Sequence, residues 1–282
     1  MSFNIGIVGN GFVGSAIVAG FTLSVKEVRI YDTNSNRATH SLQDTVNSDF
    51  IFVGVPTPMN SFDGALDLSI MDRVLQEINE NNKRQDNIVI IKSTVVPGTV
   101  EKYIEAYPNL NIVYNPEFLT ERAARLDFIN SSRIVIGGTP ENLQKVKSLY
   151  RLRFPYKTIV ETDITTAQFI KYMANCFFAV KIAFMNEMKQ GADAMNVDWD
   201  SAMRGFTLDG RIGNSHLDVP GHDGLRGFGG KCFPKDINAF MNTFKEVGVY
   251  PAIMKAAWDK NLEVREEKDW EKIKWATSAE EK

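Results

Sequence analysis

The sequence predicts an α/β protein in which a doubly wound, mainly parallel sheet is followed by a mostly helical domain. Three observations carry that reading. Short β-branched runs alternate with helical stretches up to about Glu161, a glycine-rich turn joins the first strand to the first helix, and strand signals fade beyond Glu161. The candidate strands are 4–8, 27–31, 49–55, 87–93, 111–114, 133–138 and 157–161. Several lack polar alternation, as Phe50-Ile51-Phe52-Val53 does, which is the pattern of parallel strands covered on both faces by helices. Helices are expected at 12–21, 69–81, 98–106 and 141–152.

Past Glu161 a helical pattern extends over 164–194, about 45 Å at ~1.5 Å per residue. Its middle is apolar almost all round, so packing one face would leave Phe177, Phe178, Ile182 or Phe184 in water; a partner helix from a second copy is expected, the alternative being a core helix of a monomer. Pro251 suits the first turn of another helix, running into the charge-dense ending, which reads as a solvated helix or frayed tail.

At 282 residues the chain has room for two domains of ~150 residues. Its 32 Lys and Arg against 35 Asp and Glu, a net charge of −3, argue against a surface made to hold nucleic acid or anionic lipid. The apolar stretch 176–185 carries Lys181 and falls short of the ~20 residues of a membrane span. The first residues show no basic leader, so no signal peptide is expected. Two cysteines, Cys176 and Cys232, make neither a disulfide framework nor a metal spacing, which points to the cytoplasm and to no metal.

Gly9-Asn10-Gly11-Phe12-Val13-Gly14 follows the first strand and opens the first helix. Gly9 permits the tight turn, Gly11 lets the backbone approach a pyrophosphate, Gly14 lets helix and sheet pack closely, and the helix start supplies N–H donors and a positive dipole end. Asp32, at the end of the second strand, can accept hydrogen bonds from a ribose diol and would repel a 2′-phosphate, favouring NAD over NADP; Arg37 nearby keeps NADP open. These features define a Rossmann-type NAD-binding domain over 1–161, leaving a helical central and dimerisation domain over 162–282. In that second part Gly227-Phe228-Gly229-Gly230-Lys231 lacks the spacing and hydroxyl of a P-loop. Cys232 follows it, flanked by Lys231 and Lys235, cations that favour a thiolate, so it is either a nucleophile or buried filler; Cys176, within the apolar helix, reads as filler.

The glycine loop, Val55-Pro56-Thr57-Pro58, Lys92-Ser93-Thr94 through Thr99, Asn115-Pro116-Glu117-Phe118-Leu119-Thr120-Glu121, Lys171 with Asn175, Arg211-Ile212-Gly213, and Gly227 through Phe233-Pro234-Lys235-Asp236 occur in that order. Together they resemble the UDP-glucose/GDP-mannose dehydrogenase family, and within it look most like the UDP-glucose 6-dehydrogenases, from Asn4 to about Arg265. The resemblance implies NAD-dependent oxidation of a nucleotide sugar's C6 alcohol to the carboxylate, UDP-glucose to UDP-glucuronate. It implies that Cys232 captures the aldehyde as a thiohemiacetal that becomes a thioester.

The roles it carries over are as follows. Lys171 and Asn175, four apart and so on one helix face, stabilise the oxyanion at C6. Asp236 and Thr94, with a water, help remove the alcohol proton. Glu117 and Glu121, on one face if their segment is helical, match family carboxylates, one of which activates the hydrolytic water. Phe12, Val13, Pro56, Thr57 and Thr94 join Gly9, Gly11, Gly14, Asp32 and Arg37 at the cofactor. Phe118, Leu119, Glu121, Lys171, Asn175, Phe228 and Gly229 contact the sugar nucleotide, and Arg211 reaches it from a neighbouring subunit, implying a homodimer. Full-length relatives continue into a second α/β domain that helps hold UDP; this chain is expected to lack it, which leaves the nucleotide sugar open. Two other readings stand beside this one: a two-electron hydroxyacid-type dehydrogenase, which needs no thiol, and a catalytically silent NAD-binding subunit.

Overall fold

The computed structural model describes residues 3–278 and divides into two compact units, one reaching Thr57 and resuming over Leu68–Lys171, the other comprising Pro58–Asp67 and the chain from Tyr172 onward. The first unit opens with β1 (Asn4–Val8), α1 (Phe12–Phe21), β2 (Glu27–Tyr31), α2 (Leu42–Val46) and β3 (Phe50–Val53). After β4 (Met59–Asn60), which belongs to the second unit, come α3 (Ser69–Asn81), β5 (Ile88–Ile91), α4 (Thr99–Ala106), β6 (Asn111–Tyr114), α5 (Ala124–Asn130), β7 (Arg133–Gly137), α6 (Pro140–Arg153) and β8 (Thr158–Thr162).

The seven expected strands form one sheet in the order β2-β1-β3-β5-β6-β7-β8, parallel throughout except for the β6–β7 pair. Period-2 alternation explains why its central strands β3 and β5 are apolar on every residue. Phe50, Phe52, Ile88 and Ile90 face a core shared with Phe21 and Tyr150, while Ile51, Val53, Val89 and Ile91 face a second core shared with Met71 and Leu75. Strand order reverses between β1 and β3, where doubly wound sheets bind ligands beyond the carboxyl ends of their strands. The short α2 and α5 went unread in the sequence because so few residues show no helical period.

α7 (Ile164–Ala194) is the long helix, and the division between units falls inside it rather than at Glu161. The cause is packing: Ala167 and Ile170 in its first turns belong to the core of the first unit. Along its remainder Phe178 and Ile182 are half-buried, whereas Phe177 and Phe184 are 62% and 51% exposed. The second unit continues with α8 (Trp199–Thr207), α9 (Phe233–Glu246), α10 (Ala252–Val264) and β9 (Thr277–Ser278). Met185, Leu217 and Val219 form one of its apolar clusters.

The ending corrects the expectation of a solvated helix or frayed tail. α10 stops at Val264, Arg265 and Trp270 are each only 3% exposed, and β9 pairs in parallel with β4. Trp270 packs with Met59, Ala276, Trp258 and Ile273. The charges that suggested a tail, Glu266, Glu267, Lys268, Glu271 and Lys272, are exposed, while the residues between them turn inward. The last four positions of that expected tail, 279–282, lie outside the described residues.

Removing the Trp270 side chain should therefore behave as a core deletion. Trp270→Ala is expected to cost about 3 kcal/mol in urea unfolding, as large-to-small core changes do. A loss below ~0.5 kcal/mol, the range of surface substitutions, would restore the frayed-tail reading.

Candidate active site

The cofactor-type crevice is built from backbone. Gly9 has φ +91°, a left-handed conformation that side chains avoid, and a Cβ there would lie 2.6 Å from the Gly54 carbonyl at the end of β3. A Cβ on Gly14 would meet the Gly9 carbonyl at 2.2 Å, so the third glycine is demanded by the turn itself. Around Gly11 a Cβ would meet nothing within 4 Å, leaving backbone at the start of α1 open to an approaching ligand. One Asp32 oxygen accepts from Asn10 N–H at 2.7 Å and the other from Asn34 N–H at 2.8 Å, which orients the carboxylate beside the loop. Arg37 is exposed in a 3₁₀ turn, and its carbonyl accepts from the Asn10 side chain. This cradle fits a dinucleotide: open backbone donors at a helix start, with a fixed acid at the end of the neighbouring strand.

Two of the quoted motifs are stitched together where β3 and β5 end. Ser93 Oγ accepts from Val55 N–H and donates to the Val55 carbonyl, and Thr57 Oγ1 donates to the Thr94 carbonyl at 2.8 Å. The loops carrying Pro56, Thr57 and Thr94 are thus held as one ledge.

Beyond β6 the chain buries charge. Lys171, 2% exposed, donates from Nζ to Glu117 Oε1 at 2.9 Å and to the Glu117 carbonyl at 2.7 Å. The other Glu117 oxygen accepts from Leu119 N–H at 2.6 Å, and Lys171 Nζ also lies over the Phe118 ring at 5.6 Å. Behind this pair Lys92 donates to Asn115 Oδ1 at 2.9 Å and to the Pro116 carbonyl at 3.3 Å, and Tyr150 OH donates to the same Asn115 oxygen. Burial pushes the Lys92 ammonium down to about 7, with the Glu117 charge opposing and the Lys171 charge adding to the shift. Lys92, Asn115 and Tyr150 are neighbours of the candidate site that sequence reasoning did not single out for roles. The only signal was the position of Lys92 and Asn115 inside the motifs.

Glu117 and Glu121 do not share a helix face. Residues 115–120 are irregular, and Glu121 begins a 3₁₀ turn, exposed, lining a shallow depression with Phe12 and Ser15 at the start of α1. The Glu117 carboxylate is held instead within its own irregular segment and by the long helix, accepting from Leu119 N–H and from Lys171 Nζ.

In the second unit Cys232 is half-buried and sits at the cap of α9, its carbonyl accepting from Asp236 N–H one turn on. Asp236 is 1% exposed; its Oδ2 accepts from Asn175 Nδ2 and its Oδ1 from Lys235 Nζ, each at 2.5 Å. Lys235, quoted as part of the motif but given no role, is therefore the charge partner of the buried acid. Cys176 is buried, and desolvation, reinforced by the Asp236 charge, pushes its thiol far up, so it stays protonated at neutral pH. Phe228 is buried with its ring against Phe233 and Trp258, and Gly229 leaves no room for a side chain beside Asp269 and Arg265. Arg211 has a 90% exposed side chain paired with Asp209, on a loop whose Ile212 and Gly213 carbonyls accept from Lys181 of α7. Among the described residues no cluster of His, Cys, Asp or Glu could hold a metal, and no helix is long and apolar enough to cross a membrane.

The Lys92 environment sets a pH dependence. Between about 7 and the ordinary value of 10.5 the unfolded chain binds a proton that the folded protein does not, so this group's contribution to stability rises with pH across that window and is lost as pH falls through 7. Lys92→Met should remove that slope. Unfolding free energies of variant minus parent, measured in urea at neutral and at alkaline pH, are expected to fall as pH rises; a constant difference would contradict the buried neutral amine.

Comparison with known proteins fits both units. The model of the UDP-glucose/GDP-mannose dehydrogenase family NAD binding domain matches residues 36–153, and that of the family's central domain matches residues 165–263. UDP-glucose 6-dehydrogenase AglM of Haloferax volcanii is 33% identical over 250 residues, covering 83% of this chain and 57% of the relative. UDP-glucose 6-dehydrogenase of Rickettsia conorii is 36% identical over 225 residues, covering 76% of this chain and 49% of the relative. The solved UDP-glucose dehydrogenase of the hyperthermophilic archaeon Pyrobaculum islandicum matches with a TM-score of 0.82 at 28% identity, over 93% of this chain and 68% of that one. The chain spans about half the length of the curated relatives it matches. With two models of one family matching more than half of the chain between them, the chain belongs to the UDP-glucose/GDP-mannose dehydrogenase family and carries its NAD binding and central domains.

Proposed function

We propose that this chain carries out the NAD-dependent, four-electron oxidation of a nucleotide sugar's C6 alcohol to the carboxylate, with UDP-glucose as substrate and UDP-glucuronate as product. The observation that carries the reading is a half-buried thiol at the cap of α9, one turn before a buried acid gripped by Asn175 and Lys235. An alcohol-to-ketone oxidation needs no thiol; a thiol serves the step from aldehyde to acid, because its addition makes the carbon tetrahedral, with an oxygen whose electron pair can expel hydride from the C–H bond the aldehyde retains.

The glycine-loop backbone at Gly9, Gly11 and Gly14 with the start of α1 at Phe12 and Val13, Asp32 on the ribose, and the ledge of Pro56, Thr57 and Thr94 hold the dinucleotide. When bound, NAD+ would supply the hydride acceptor, one molecule at the alcohol stage and, after NADH has left, a second at the thiohemiacetal stage. Asp236, with Thr94 and a water, removes the alcohol proton. The Cys232 sulfur adds to the aldehyde carbon, and the carbonyl oxygen gains the proton the thiol gave up. After the second oxidation the acyl group is a Cys232 thioester; water attacks it, the C–S bond breaks, and the thiol regains its proton. Lys171 and Asn175 stabilise the negative oxygen that develops at C6 in these steps. A Glu117 or Glu121 carboxylate activates the hydrolytic water, and Phe118, Leu119 and Gly229 shape the sugar pocket.

A homodimer completes the reading. Met173, Phe177, Phe184 and Met188 are exposed along α7 and, at ~100° per residue, fall within an arc of about 60°. A second copy covering this stripe would bring the exposed Arg211 to its partner's substrate. The cytoplasm suits a reaction that requires Cys232 as a thiol.

Purified protein incubated with NAD+ and a panel of nucleotide sugars should form two NADH per UDP-glucose consumed. Cys232→Ser should yield no net acid while still binding NAD+. One NADH per sugar would favour two-electron chemistry, and no turnover with any nucleotide sugar would favour a silent NAD-binding subunit. Phe177→Glu is expected to convert the dimer to monomer in sedimentation velocity; a monomeric parent would sink the dimer.

A further inference from the structure

We propose that Arg265 and Asp269 form a strap that positions Cys232 by holding the glycine loop in front of it, a role that rests on the thiol chemistry just proposed. The loop 227–230 has no secondary structure of its own, and three of its backbone N–H groups are taken by side chains. Gly227 N–H donates to Asn186 Oδ1 of α7 at 3.1 Å, Phe228 N–H to Asn261 Oδ1 of α10 at 2.6 Å, and Gly230 N–H to Asp269 Oδ2 at 3.0 Å. Asn261 also donates to the Phe228 carbonyl at 3.0 Å, reading both polar groups of that residue.

Arg265 ties the far end of this grip. Its guanidinium lies between Asp223 Oδ2 at 2.8 Å and Asp269 Oδ1 at 3.2 Å, and its Nε donates to the Glu267 carbonyl at 3.1 Å. The side chain is 1% exposed. One terminal nitrogen, Nη2, meets both carboxylates, while Nη1 donates to the Arg226 carbonyl at 3.4 Å, so the guanidinium reaches the two acids and the backbone before the loop at once. The fit is close: a Cβ on Gly229 would stand 2.2 Å from Asp269 Oδ1 and 2.3 Å from an Arg265 terminal nitrogen.

Stability alone does not call for such an arrangement: only Arg265 is buried, its two acids being 33% and 27% exposed, and replacing buried ion pairs by apolar residues is often neutral or stabilising. What the triad does supply is a fixed address for Gly230, two residues before Cys232. On the other side, Asp236 N–H anchors the Cys232 carbonyl to α9. The thiol is thereby held from both directions along the chain, as a nucleophile that must meet one carbon in one orientation requires.

The test is thiol reactivity in the full chain, followed by mass spectrometry after iodoacetamide, with buried Cys176 as an internal reporter of unfolding. In Asp269→Ala the Cys232 alkylation rate is expected to rise at least about three-fold while Cys176 stays unmodified, because a loosened loop exposes the sulfur. In an active parent, kcat should fall about ten-fold with KM for NAD+ within about two-fold. Asp269→Asn, which keeps the shape but not the charge, guards against a variant that fails to fold and should show the same trend. A Cys232 rate that is unchanged, or that rises only in step with Cys176, overturns the strap, and so does an unchanged kcat. If the parent oxidises no nucleotide sugar, the proposed function fails by itself, and the alkylation rates still decide the strap.

Discussion

A charge withdrawn from water must be met by an opposite charge or by hydrogen bonds, and this constraint shapes both candidate halves of the chemistry. In the first unit Lys171 can lie at 2% exposure because Glu117 presents a carboxylate and a carbonyl to it. In the second, Asp236 can lie at 1% because Asn175 and Lys235 divide its two oxygens. Neither group has a choice of rotamer once its partners are in place. Preorganisation follows from desolvation: the same low-dielectric surroundings that make an unpaired charge costly make a paired one rigid.

The sheet delivers these groups through its strand ends. Parallel strands stacked in one direction bring their carboxyl ends to one edge, so the turn after β1, the ledge after β3 and β5 and the buried acid after β6 all leave the same side of the first unit. Irregular backbone there is held by side-chain bonds such as Ser93 to Val55 and Thr57 to Thr94. The second unit solves the same problem with helices. Its irregular glycine loop is gripped by asparagines from α7 and α10 and by an acid from the segment beyond α10.

Much of this was legible in residues alone. The seven strands could be read because their apolar runs are bounded by turns, and Gly9, Gly11, Gly14 and Asp32 because a backbone turn and an acid at a strand end impose residue types at defined spacing. Lys92 was not legible as a buried amine, since nothing in a β-branched run followed by lysine says whether the ammonium ends in water or against Asn115. The ending misled for a related reason. Its charges are numerous, but burial is set by the few residues between them, Arg265, Trp270 and Ala276, whose partners Asp223 and Met59 lie far away in the chain.

By itself, then, the sequence determined the α/β class, the dinucleotide turn, the family and which residue types the proposed reaction would call on, because these depend on local conformation and on chemistry carried by single side chains. The tertiary structure decided which of those side chains are buried and with whom: Lys171 with Glu117, Asp236 with Lys235 and Asn175, Arg265 with Asp223 and Asp269. It also separated Glu121 from Glu117 by denying their segment a helix. Burial and pairing are properties of contacts between residues distant along the chain, and no spacing rule within one stretch can specify them.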